Sequence, residues 1–145
     1  FAFYVETFIR NHDFWISHYE NFSVEELSRS AAELTDIMLS LWRQIAEDGM
    51  LSSLLRLELQ DKPSGAAIEI AKAREVQTAD LVDFFTEGAD SPNSTRIQLA
   101  ILTAGVQYLA LHKEVSTFCG IDFRTVSEQE MAVALTEISK SILKQ

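Results

Sequence analysis

TRIQLAILTAGVQYLALHKEV, residues 95–115, carries apolar side chains at Ile97, Leu99, Ala100, Ile101, Leu102, Ala104, Val106, Tyr108, Leu109, Ala110, Leu111 and Val115. Wound at 3.6 residues per turn, these positions reach every side of the helix. A helix with its outer face in water keeps that face polar, and one that is apolar all round is buried all round. The stretch therefore predicts a helix with neighbours on both sides.

The flanks predict where those neighbours come from. Upstream, Ala89-Asp90-Ser91-Pro92-Asn93 is a connection with Ser91 as N-cap and Pro92 at the first helical position, where its missing donor costs nothing. Gly88 is placed to end the preceding helix, about 66–87, in a left-handed cap. That helix turns Ile70, Ala73, Leu81, Phe84 and Phe85 inward and is preceded by the turn Asp61-Lys62-Pro63-Ser64-Gly65. Downstream, the apolar helix is expected to end near Gly120. Ser127-Glu128-Gln129-Glu130 then forms a capping box, with Val126 and Met131 as its staple, opening a last helix whose one face is Met131, Leu135, Ile138 and Ile142.

Further upstream, Ser23-Val24-Glu25-Glu26 is a second capping box, stapled by Phe22 and Leu27. It predicts a long helix with Leu27, Ala31, Leu34, Met38, Leu41 and Ile45 on one stripe and Trp42 widening it. Asp48-Gly49 breaks that helix, and a short one from Met50 to about Gln60 carries Leu51, Leu54, Leu55 and Leu59. The chain opens on FAFYVETFIRNHDFW, patterned as a helix from Phe1 to about Glu20 with no capping residue in front, so that an upstream segment is expected. Sustained period-two alternation is missing, and with it any Asn-Gly or Asp-Gly hairpin signal between strands. The expected fold is all-α: a single domain, 1–145, built as an antiparallel bundle of about six helices.

Composition bounds the function. A formal charge of −10 and a pI near 4.6 argue against these residues holding nucleic acid themselves. Uninterrupted apolar runs such as Leu99–Leu102 and Tyr108–Leu111 are far below the roughly 20 residues of a membrane span. The lone Cys119 has no internal disulfide partner, so a reducing cytoplasm is the default location. No catalytic residue, metal site or cofactor is expected. Gly-rich phosphate loops, nucleophile elbows and paired metal-spaced cysteines are missing. None of His12, His18 and His112 has Glu three residues before it, and His12 and His18 diverge by about 120° on a helix. Asn21-Phe22-Ser23 and Asn93-Ser94-Thr95 match the glycosylation acceptor pattern but coincide with helix starts that select the same residues.

Large rings and methionines are more informative as a set. Phe8, Phe14, Trp15, Tyr19, Met38, Trp42, Met50, Phe84, Phe85 and Tyr108 fall on several helices that are able to converge. Such a junction predicts either a filled core or a cavity for a small, flat, apolar ligand, with His18, Tyr19, Gln77, Gln107 and Tyr108 supplying polar tips. The ligand-binding candidates are Phe8, Trp15, His18, Tyr19, Met38, Trp42, Phe84 and Tyr108.

The order of elements, a long leading helix, a capped long helix, a Gly break with a short helix, another long helix, an apolar helix containing Gly105 and an amphipathic last helix, resembles the C-terminal domain of TetR-family transcriptional regulators. ILTAGVQYLALHKE in particular is similar to that family's penultimate helix. The resemblance implies an effector-binding and dimerisation domain: a homodimer that takes up a small apolar or aromatic effector and controls DNA through an N-terminal helix-turn-helix domain outside this sequence. It also implies that the first helix links the two domains, with Phe8, Trp15 and Tyr19 as the lever, and that the Gly49 break is a place to flex. In this reading the uncovered side of the 95–118 helix meets its counterpart in a second subunit, together with the last helix, as an isologous four-helix contact. Leu99, Leu102, Gly105, Val106, Leu109, Leu135, Ile138 and Ile142 are the interface candidates. The alternatives are a helical protein–protein interaction module with no small-molecule ligand, and an all-α enzyme.

Overall fold

The computed structural model describes residues 28–144. Five helices account for most of them: α1 (Ala31–Glu47), α2 (Gly49–Glu58), α3 (Gly65–Thr86), α4 (Pro92–His112) and α5 (Glu128–Leu143). No strand is present among the described residues; a single antiparallel bridge joins Phe118 to Ile121. The fold is all-α. The helix expected over 1–20 and the capping box at Ser23 lie outside the described residues.

α1 is the central element, and its sequence explains why. Leu34, Ile37, Met38, Leu41, Trp42 and Ile45 are buried, and so are Thr35, Leu39 and Gln44, leaving mainly Asp36, Arg43 and the Ala46-Glu47 end in water. α5 packs along it most extensively and α4 next, with the two also touching each other. Small hydroxyl side chains sit where α1 meets α5. Thr35 donates to its own helix at the Ala31 carbonyl (2.7 Å), with the Thr136 and Ser139 hydroxyls 3.3 and 3.5 Å away. Ser139 is fully buried there.

The front of α1 corrects the expected helix start. Residues 28–30 are not helical, and Ser30, with extended backbone, caps the helix by accepting from the Glu33 amide at 3.2 Å. Ser30-Ala31-Ala32-Glu33 carries the same Ser-x-x-Glu spacing as the box at Ser23, and α1 starts from it.

At the other end one residue makes the joint. The Asp48 amide closes α1 on the Gln44 carbonyl (2.8 Å), while its carboxylate caps α2 at the Met50 and Leu51 amides (2.9 and 3.0 Å). In α2 the expected Leu51, Leu54 and Leu55 are buried. Leu59 is not; the helix ends at Glu58 and Leu59 is 70% exposed. α3 returns past α2 to α4. Its ends are buried through Ala67, Ile70, Phe85 and Thr86, while Ala73, Leu81 and Phe84 are half-buried. Between α2 and α3, Glu58 and Arg74 form an ion pair that is largely withdrawn from solvent.

Gly88 ends α3 at a φ of 76°, the left-handed conformation that a residue without Cβ adopts most readily. Pro92 opens α4 as expected, although the Ser91 side chain makes no capping bond. The helix stops at His112 rather than near Gly120. Beyond it, Phe118 and Ile121 exchange both backbone bonds (2.9 and 3.0 Å) around Cys119 and Gly120, whose φ values are 53° and 76°. Two successive positive φ values define the tight turn that suits a two-residue hairpin, and they are incompatible with a continuing α-helix. The capping box at Ser127 is present in full: its hydroxyl accepts from the Glu130 amide (3.1 Å), and the Glu130 carboxylate takes the Ser127 amide (3.3 Å).

Candidate functional site

α4 divides its apolar residues between two faces. Leu99, Leu102, Val106 and Ala110, spaced at three and four, are buried with Thr95 and Leu111 against the rest of the chain. Ile97, Ile101, Ala104 and Tyr108 repeat the same spacing on the other side, where Ile97, Ile101 and Tyr108 are 53%, 68% and 45% exposed. Two apolar rows of equal period explain why the helix shows no polar face in sequence. From Ile97 to Leu111 the chain has no charged residue.

The outer row continues past the helix end. Tyr108 stacks on His112 with ring centroids 5.1 Å apart and planes 15° from parallel, and Phe118 meets both rings edge-on at 5.5 and 5.9 Å. The Cys119-Gly120 turn places Phe118 there, and Ile121 and Val115 are exposed with it. On α5, Val133 and Ile138 are also exposed. Ile97, Ile101, Tyr108 and Phe118 thus make an apolar and aromatic surface strip along α4 and past its end.

This geometry redistributes the interface candidates. Leu99, Leu102, Val106, Leu135 and Ile142 are spent in the chain's own core. Leu109 is half-buried against it. Ile138 is exposed, and Ser139 takes the buried place beside Leu135 and Ile142. Gly105 is half-buried, and a Cβ built on it meets nothing within 4 Å, so no close contact inside the chain requires glycine there. Ile97, Ile101, Phe118 and Ile121, not among the candidates, form the strip with Tyr108. Their signal was the i, i+4 row itself, indistinguishable by type from the buried row beside it.

Among the ligand-binding candidates, Phe8, Trp15, His18 and Tyr19 lie outside the described residues. The other four occupy three places. Met38 and Trp42 are buried in the core on α1; the Phe123 ring lies 6.1 Å from that of Trp42, and the Lys113 ammonium sits 5.5 Å from it. Phe84 packs edge-on against Phe85 at 5.2 Å, beneath the Arg29 guanidinium at 4.4 Å. Tyr108 belongs to the outer strip.

Two clefts flank the connection between α3 and α4. One, of about 270 Å³, lies against the last turn of α5, with Phe85, Ile142 and Leu143 among its walls. The other, of about 660 Å³, is a shallower opening bordered by Phe84, Asp80, Asp83, Glu87 and Arg96. Arg29 bridges this end of the molecule: it donates to the Phe84 carbonyl (2.7 Å) and pairs with Glu87 (2.5 Å).

The electrostatic features are ties between elements. Arg43 on α1 grips Glu128 at the start of α5 through two bonds of 2.6 and 2.9 Å. The hydrogen bond from Arg43 holds the Glu128 carboxyl below the ordinary carboxylate range, and the same bond raises Arg43. In the 113–127 connection, Arg124 holds Asp122 low in the same way, through its guanidinium first and its backbone amide second. Among the described residues no cluster of three or more His, Cys, Asp or Glu is placed to hold a metal ion. None of the described helices is long and apolar enough to cross a membrane. The chemistry on offer along α4 is that of an apolar contact surface.

No family model, curated protein or solved structure matches this chain.

Proposed function

We propose that this chain is the dimerisation and effector-binding domain of a TetR-like transcriptional regulator, pairing with a second copy through the outer row of α4 and the adjoining face of α5. The observation that carries the reading is the exposed row Ile97, Ile101 and Tyr108, extended by Phe118, on a helix with no charge between Ile97 and Leu111. A chain of net charge −10 repels its own copy on the whole, so an uncharged strip is a surface on which like can meet like. A two-fold contact buries each of these side chains twice, at about 1.5–3 kcal/mol for each large apolar side chain fully withdrawn from water. That gain offsets the cost of association.

In this reading a small apolar or aromatic effector binds beside the aromatic residues and favours one of two dimer geometries, in proportion to its difference in affinity for them. DNA is read by a basic helix-turn-helix domain outside this sequence, and the regulator works in the cytoplasm. A second reading, a helical protein–protein interaction module without a small-molecule ligand, is favoured by the burial of Met38 and Trp42 in the core under Phe123.

Two measurements test the proposal. Analytical ultracentrifugation at micromolar concentration should give twice the 16.3 kDa of one chain, and a monomer there would remove the dimer. Titration with a panel of apolar aromatic compounds should quench tryptophan fluorescence saturably in the native chain and not in the double variant Trp15→Phe/Trp42→Phe, which keeps no tryptophan; a flat response of the native chain across the panel favours the ligand-free module.

A further inference from the structure

We draw no further inference here: the strongest candidate, the cleft of about 270 Å³ between the α3–α4 connection and the last turn of α5, has its Arg29 and Lys144 cations already tied to Glu87 and Asp90 on its own rim, and nothing in the structure shows what chemistry would fill it.

Discussion

Ser127 closes a reciprocal pair of bonds with Glu130, and through it fixes where α5 begins. Ser127→Ala removes the acceptor for the Glu130 amide and should cost about 1 kcal/mol, whereas Ser127→Gly should cost only a few tenths. Urea midpoints read at constant m-value check this; a Ser127→Ala midpoint equal to that of the native chain would show that the cap contributes nothing. Gly120 is the other residue whose chemistry sets a position. At a φ of 76°, Gly120→Ala should destabilise by roughly 1–2 kcal/mol, and by loosening the turn should release Phe118 from Tyr108. A shift in the Phe118 ring resonances by NMR reports that release, and an unmoved ring with unchanged stability would count against it. These two sites differ in how far sequence revealed them. The Ser-x-x-Glu spacing at 127–130 names its own bonds, while Cys119-Gly120 read as a helix end because a single glycine serves both a cap and a tight turn.

Between elements, Arg43 and Glu128 tie α1 to the first turn of α5. The Glu128 carboxyl titrates lower when folded than when unfolded, so its contribution is complete above its unfolded value and is lost as pH falls through the lower folded one. Glu128→Gln should therefore be somewhat less stable than the native chain at neutral pH, and the two should converge in acid below the ordinary carboxylate range. The effect is small because both partners face solvent. Thermal melts from pH 7 to pH 2 measure it, and a constant difference across that range would assign the loss to something other than ionisation. α4 shows where element-level reading stops. Its existence and its Pro92 start follow from residue type. Which of its two apolar rows faces the core does not, because Leu99, Leu102 and Val106 differ from Ile97, Ile101 and Tyr108 in neighbours rather than in polarity. The start of α1 was not legible either, because the Ser23 box reads as its beginning while Ser30 caps it.

On the scale of the whole molecule, the two rows of α4 separate stability from association. Ile101→Glu falls on a side chain that is 68% exposed, so it should leave the stability of the isolated chain within the usual ±0.5 kcal/mol of surface changes while converting the proposed dimer to monomer. Val106→Glu falls on one that is 3% exposed and should abolish cooperative unfolding, since a buried carboxylate has no partner there. Sedimentation and a melt on each variant decide it; an Ile101→Glu dimer as tight as the native one would place the contact elsewhere. The all-helical class and most helix boundaries were legible because periodicity and caps act locally. The proposed contact face was only half legible, because exposure depends on what α1 and α5 cover.

The packing of α1 against α5 also sets an order of events. Thr35 lies within reach of Ser139 across 104 positions of sequence, which a ribosome needs about 5–20 s to add. During that interval Leu34, Ile37 and Leu41 have emerged and their main partner does not yet exist. α1 can acquire α2 and α4 in the meantime, but its α5 side stays open until α5 is released. Nascent chains arrested before Ser127 should accordingly be digested by protease far faster than full-length chains released from the ribosome, and equal resistance would mean that α1 finds shelter earlier. Of the described helices, the central one is thus made first and enclosed last, so its α5 side is the apolar surface left open during synthesis.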